Sequence, residues 1–159
     1  YLSDASDMSI RFGNGHWVGY QSEKLISGKM VPVCSQAFLR LHGHIDTPEQ
    51  LLQMPLLHDE ERTTWNQWFV QQGVKRPPRS TGPLFEDGLL TLAGVQAGLG
   101  CALMREPLIA PYLKSGELVK IFDTAIDDGR DYYLCVRQDS DMTPNGKLLQ
   151  SWLRQQALG

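Results

Sequence analysis

The chain has 159 residues, 42% of them hydrophobic and 21% charged, an ordinary globular composition that fits a single domain and excludes a fibre, a disordered tail or a membrane span. Fifteen lysines and arginines against eighteen aspartates and glutamates leave a formal net charge of −3. They are scattered, and form no basic stripe of the kind that grips a phosphate backbone. Cys34, Cys101 and Cys135 are odd in number, and each sits in an apolar, strand-like run without CxxC spacing. They read as small buried hydrophobes of a reducing cytoplasm. The chain begins at Tyr1 rather than Met and carries no targeting segment, so it reads as a fragment of something longer.

In chain order, residues 7–12 alternate polar and apolar as a half-buried strand does, and Gly13, Asn14, Gly15 and His16 break it into a tight loop before Trp17. A polar and aromatic loop at a strand end is where α/β proteins place ligand contacts, although His16 and Trp17 serve equally well as a turn residue and a core anchor. Residues 29–34 read as a second strand, in which Pro32 argues for an edge, a bulge or a hinge. Ser35 can cap a short helix through Ala37, Phe38 and Leu41. Thr47, Pro48 and Gln50 stand as cap, first helical position and closing residue of a capping box, and the helix must end near Met54 because Pro55 follows. Residues 56–58 read as a short strand and 59–62 as a charged loop. Thr64 is expected to cap a helix with Trp65, Trp68 and Phe69 on one face, closed by Gly73. Residues 75–79 are basic and proline-rich, and read as a solvated linker.

The stretch 85–104 organises the rest, because a strand end, a helix and a second strand follow one another directly. Asp87 is a good N-cap, Leu89, Leu92, Ala93 and Gln96 recur at helical spacing, and Gly98 and Gly100 can take the positive φ that ends a helix tightly. Ligands in α/β sheets gather beyond the carboxyl ends of strands, where helix N-termini point. Phe85, Glu86, Asp87 and Gly88 are therefore a candidate binding surface; the plainer alternative is that Glu86 and Asp87 only cap the helix and favour its dipole. Pro107 begins a helix through Leu108, Ile109, Tyr112 and Leu113 that stops at 115–116. Residues 118–122 read as a strand, 127–130 as a turn and 132–136 as a strand rich in aromatic and β-branched residues. Thr143 and Pro144 open a last helix that presents Leu148, Leu149, Trp152 and Leu153 inward.

Chemistry-bearing motifs are scarce. There is no G-x-S-x-G elbow, H-E-x-x-H pair, phosphate-binding G-x-x-x-x-G-K or helix-opening G-x-G-x-x-G. His42, His44 and Asp46 have the ligand types for a metal but lie in a loop without a third rigid partner. His58, Asp59, Glu60 and Glu61 could form an acid–base cluster, yet a charge run on a loop is usually only solvated. Cys34 as a nucleophile would need an exposed, electropositive setting, and its Val-Cys-Ser context suggests burial. These signals give no catalytic residue, no metal site and no cofactor, and the chain is read as not an enzyme.

An ordered set of pieces carries more. Asp7-Met-Ser-Ile-Arg-Phe-Gly-Asn-Gly-His-Trp17, Pro32-Val-Cys-Ser35, Leu56-Leu-His-Asp59 before Trp65-Asn-Gln-Trp68, Gly98-Leu-Gly-Cys-Ala-Leu103, Gly116-Glu-Leu-Val119 and Tyr132-Tyr-Leu134 together resemble the effector-binding domain of LysR-type transcriptional regulators. Within that family they are similar to the branch of the glycine-cleavage activator and the β-lactamase regulator. The resemblance implies an α/β, type II periplasmic-binding-protein-like fold, two α/β subdomains joined by two crossover strands, with an effector in the cleft between them. Residues 1–34 and 131–159 would supply part of subdomain I and residues 35–130 the whole of subdomain II. A strand-helix-strand-helix stretch of the family's first subdomain and its N-terminal winged helix-turn-helix have no counterpart here, so the first subdomain would be incomplete.

By that resemblance Gly13, His16 and Trp17, Phe85, Glu86, Asp87 and Gly88, and Tyr132 and Tyr133 match cleft-lining positions, with Pro32 and Val33 at the hinge. Glu86 and Asp87 oppose the positive end of their helix, which favours an amine-bearing small-molecule effector over a simple polyanion. Further implications are a homodimer or tetramer, DNA contact only through the N-terminal domain, a cytoplasmic location and no membrane partner. A free-standing solute-binding protein of the transport type shares the fold and is the alternative; paired cysteines would favour it, and three lone ones do not.

Overall fold

The structure, a computed structural model, describes residues 7–75, 77, 80–139 and 142–158. Residues 76, 78 and 79, most of the expected linker, lie outside them. The described chain forms two compact units, one of residues up to Gly28 and from Asp127 onward, the other Lys29–Ile126.

In the second unit every residue of β3 (Met30–Ser35) is buried. It runs antiparallel between β6 (Cys101–Arg105) and β7 (Leu118–Lys120) in a five-stranded sheet of order β5-β4-β6-β3-β7, completed by β4 (Leu56–Asp59) and β5 (Leu84–Phe85). β4 is parallel to both β5 and β6. Alternate side chains of a strand face opposite ways, so a strand buried on both faces must feed two cores. Met30 and Cys34 of β3, Leu56 of β4, and Cys101 and Leu103 of β6 join Phe38, Leu51, Trp65, Trp68 and Phe69. Val31 and Val33, Leu57, and Ala102 and Met104 join Leu92, Val95 and Ile109 on the other side. Helices α1 (Gln36–His42), α2 (Pro48–Leu51) and α3 (Thr63–Gln71) serve the first core, and α4 (Gly88–Gln96) and α5 (Glu106–Ser115) the second.

Local chemistry sets most boundaries. Ser35 Oγ accepts from the Phe38 N–H at 3.0 Å to start α1. Gln50 Oε1 accepts the Thr47 N–H at 2.9 Å to start α2, which ends at Leu51, short of Met54. Gly116, at φ 84°, stops α5 in the left-handed conformation that glycine tolerates. Other expectations need correction. Thr64 does not cap α3, which starts at Thr63 with Arg62 in the cap position. The strand expected over 118–122 ends at Lys120. Gly100 has no positive φ; it is glycine because a Cβ there would lie 2.5 Å from the Pro55 carbonyl oxygen. In α4, Leu89, Ala93 and Gln96 face solvent, and Thr91, Leu92, Gly94 and Val95 are buried.

β3 is also not an edge strand. The carbonyl of Pro32 accepts the Ile121 N–H at 2.8 Å, so this residue's polar groups point toward the β7 side, just past the last residue of that strand. A proline fits there because the ladder has already ended.

In the first unit β1 (Met8–Gly13), β8 (Asp131–Arg137) and β2 (Tyr20–Ile26) form an antiparallel sheet in the order β1-β8-β2. β2 has no counterpart in the sequence reading: its mostly polar residues suit a half-exposed edge strand. Helix α6 (Pro144–Leu158) corrects another expectation, since Leu148, Leu149 and Trp152 are 69%, 48% and 54% exposed rather than turned into a core.

Trp68→Ala removes a fully buried side chain whose indole N–H bonds the Thr124 carbonyl at 3.1 Å. Its truncation should cost about 3–5 kcal/mol. Trp152→Ala, on the exposed face of α6, should stay within about 0.5 kcal/mol, as read from urea unfolding followed by circular dichroism.

Candidate functional site

The candidate residues fall in both units, and each group has its own geometry. In the first unit β1 leads into the loop that carries His16 and Trp17. The His16 N–H donates to Asn14 Oδ1 at 3.1 Å, closing the turn. Gly15, at φ 98°, brings the loop against Tyr133: a Cβ at Gly15 would sit 2.9 Å from the phenol ring's Cζ. Likewise a Cβ at Gly13 would lie 2.9 Å from the Trp17 indole. Trp17 and Tyr133 meet edge to face at 5.7 Å, and the Arg11 guanidinium stacks 4.2 Å above Tyr20 and 6.0 Å from Trp17.

Gly13, Trp17 and Tyr133 are thus one cluster, with Arg11 and Tyr20 as members that sequence reading missed; the Tyr20 hydroxyl is buried without a partner among the described residues. His16 remains exposed. Tyr132 belongs to the opposite face of the strand, where it packs on Phe12 at 5.0 Å with Arg130 5.1 Å beyond. Asp131, just before the two tyrosines, accepts the Gly28 N–H at 2.7 Å and pairs with Lys24 at 3.5 Å.

In the second unit the carboxyl ends of β4 and β5 lie side by side, Asp59 opposite Phe85. Asp87 caps α4, its Oδ1 accepting from the Leu90 N–H at 2.9 Å, while its carbonyl accepts the Thr91 hydroxyl at 3.0 Å. Glu86 is exposed. Gly88 is the point of closest approach: a Cβ there would lie 2.9 Å from Leu108 and 3.8 Å from Asp59 Oδ2. Phe85 packs its ring against Gly94. Glu60 is turned to φ 64°, uncommon for a non-glycine residue, with its N–H on the Phe85 carbonyl at 2.9 Å. Val33 is wholly buried and Pro32 is buried with it in β3.

The charge run 58–61 divides. Glu60 and Glu61 are exposed, but His58 is a strand residue only 1% exposed, its Nε2 2.6 Å from Ser80 Oγ. Burial, then the charge of Arg62, lowers its pKa. Asp59 Oδ1 is buried without a partner among the described residues. Burial and then the charge of Glu60 raise the Asp59 carboxyl above its ordinary range, against the opposing pull of Arg105 and Thr91. Sequence reading missed this carboxylate as a neighbour of the α4 start. The only available signal was its place at the end of an apolar strand.

Other chemistry does not assemble. Cys34 is wholly buried, so the folded chain presents no exposed nucleophile there. His42 stacks on Phe38 at 4.0 Å, and His44 pairs with Asp46 at 3.2 Å in the open. Among the described residues no group of three or more histidines, cysteines or carboxylates is placed to hold a metal ion, and no helix is long and apolar enough to cross a membrane.

The LysR substrate binding domain matches residues 2–158. The chain belongs to that family. Curated relatives of this LysR domain include the HTH-type transcriptional activator AmpR of Rhodobacter capsulatus, 31% identical over 98% of the chain, and the glycine cleavage system transcriptional activator of Escherichia coli, 32% identical over 84%. The chain spans about half the length of the curated relatives it matches, 52% and 44% of these two. Among solved structures, the AmpR effector binding domain from Citrobacter freundii is 28% identical with a TM-score of 0.79. The effector domain of AmpR of Pseudomonas aeruginosa is 25% identical with a TM-score of 0.75. Each covers 98% of this chain, which in turn covers 76% and 74% of them.

The fold is therefore the type II periplasmic-binding-protein-like fold of these LysR effector-binding domains, and the relatives are transcription regulators, not enzymes or transport proteins.

The two shifted groups of β4 predict opposite pH effects. Asp59, raised when folded, holds more protons in the native state above its unfolded value of 3.8, so it costs stability as pH rises through its folded pKa. Asp59→Asn should therefore gain stability over the parent near neutrality, with the gain vanishing below pH 3.8. His58, lowered when folded, costs stability as pH falls below 6.5, and His58→Gln should flatten that limb. Thermal unfolding across pH 3–8 checks both.

Proposed function

We propose that this LysR domain senses a small-molecule effector for a DNA-binding regulator of bacterial transcription, working in the cytoplasm. The observation that carries the reading is the family match over residues 2–158. On this reading residues 1–34 and 131–159 belong to regulatory subdomain I and residues 35–130 to subdomain II, with residues 30–35 and 131–136 crossing between them. The effector occupies the cleft between subdomains. It is held by the Gly13, His16 and Trp17 loop and by Tyr133 from one side, and by Phe85, Glu86, Asp87 and Gly88 from the other, with Pro32 and Val33 at the hinge; Tyr132, on the opposite face of its strand, packs on Phe12 instead.

Binding favours one relative orientation of the subdomains, and packing in a homodimer or tetramer passes that preference to winged helix-turn-helix heads, which make the DNA contacts. Such a switch works only if the effector binds one state more tightly than the other. The edge-to-face pair of Trp17 and Tyr133 supports an apolar wall at the site, and the carboxylates Asp59, Glu86 and Asp87 near the start of α4 support an amine-bearing effector.

Differential scanning fluorimetry against amines, amino acids and dicarboxylates tests this. Amine-bearing compounds should give the hits, and Asp87→Asn should weaken them roughly tenfold or more, in line with losing a charge-assisted contact. Because asparagine caps a helix about as well as aspartate, the fold itself is spared. A tight dicarboxylate whose affinity ignores Asp87→Asn would sink the amine reading.

A further inference from the structure

The sensing chemistry leaves one buried pair of reactive side chains unused. In the β3–β6 ladder Val33 stands opposite Ala102, so the next pair along is Cys34 and Cys101. The backbone hydrogen bonds show which kind of pair this is. The Cys101 N–H donates to the Pro55 carbonyl at 2.9 Å, away from β3 and toward β4. On the other strand, Pro32 and Gln36, two residues either side of Cys34, bond Ile121 and Glu117 at 2.8 and 2.9 Å, on the β7 side. Cys34 and Cys101 are therefore a non-hydrogen-bonded antiparallel pair, the closer of the two kinds, with Cα atoms typically about 4.5 Å apart. That spacing lies within the roughly 4.4–6.8 Å that a disulfide spans.

Both side chains point into the same core, beside Trp65, Trp68 and Phe69, and both are 0% exposed. We propose that Cys34 and Cys101 are a latent cross-strand disulfide, a covalent modification site that ties β3 to β6 when a two-electron thiol oxidant reaches it.

The thiols are already unlike one another. The hydrogen bond from Cys101 lowers the Cys34 thiol, while the same contact, followed by burial, pushes the Cys101 thiol well up. In the folded pair Cys34 is thus the thiol that gives up its proton more readily. With a diazene oxidant such as diamide, the Cys34 thiolate adds to one nitrogen of the N=N bond and a proton goes to the other. Cys101 then attacks Cys34 Sγ, the S–N bond breaks, and the Cys101 proton leaves with the nitrogen. The two thiols lose two electrons and two protons, and the diazene becomes a hydrazine.

Complete burial makes the reaction wait on opening of the sheet, so it is slow in the folded chain and is accelerated by mild denaturant. Cys135, in the other unit and 3.6 Å from Ser22 Oγ, is the internal control.

The test is to treat the chain with diamide in low urea, remove both, and map tryptic peptides by mass spectrometry. A reducible link between peptides 30–40 and 80–105 is expected, with thermal unfolding raised by roughly 5 °C or more through closure of the long intervening loop. Cys34→Ala and Cys101→Ala should each abolish the link and Cys135→Ala should leave it. The parent peptide map decides the matter even if a variant fails to fold. Separate adducts on the two cysteines, a link through Cys135 or between chains, no reaction, or a link that lowers the unfolding temperature would each overturn the assignment.

Discussion

The double-sided burial of β3 is the constraint on which the second unit depends. A strand flanked on both edges and covered on both faces must be apolar at nearly every position, must place alternate residues in two different cores, and cannot shift register by one without exchanging them. Met30 and Cys34 against Val31 and Val33 meet that demand, and Ser35 at the end of the strand caps α1. The same alternation in β6 and β4 lets two sets of helices close the two faces. The aromatic residues Trp65, Trp68 and Phe69 fill the larger volume on one side, and glycine at 94 lets α4 come down onto Phe85 on the other.

This sheet fixes where chemistry can collect. The parallel strands β4 and β5 end together, and the chain turns at Phe85 straight into the capped start of α4. Gly88 permits the approach, and Asp59 is left at the strand end with a buried oxygen unsatisfied. A buried carboxylate without a full set of donors is costly to keep ionised, which is why its proton affinity rises. In the first unit, the glycines at 13 and 15 play the matching part. Each gives up a Cβ so that an aromatic ring can lie directly on the backbone, and Trp17 and Tyr133 come together around them.

Much of this was legible in the residues because the signals are local. Asp87, Ser35, Gly116 and the Trp65, Trp68, Phe69 stripe act within a turn or two of helix, and sequence spacing shows them. What was illegible depended on partners. Strand β2 looks polar because it lies at a sheet edge. Pro32 looked like an edge residue because its neighbour on one side stops a residue early. Leu148, Leu149 and Trp152 have helical spacing, yet spacing says only that they share a face, not that anything covers it. Within the candidate site, Tyr132 and Tyr133 illustrate the same limit, since adjacent strand residues point to opposite faces and only the pairing register tells which one meets Trp17.

The four tryptophans make the central claim directly measurable. Trp17 lies in the candidate effector group, Trp65 and Trp68 in the aromatic core, and Trp152 on the open face of α6. In a nitrogen-15 correlation spectrum of the chain titrated with a compound from the stability screen, the Trp17 indole N–H signal should move with saturation while that of Trp152 holds still. Movement of Trp152 alone, with Trp17 unchanged at saturation, would contradict that claim.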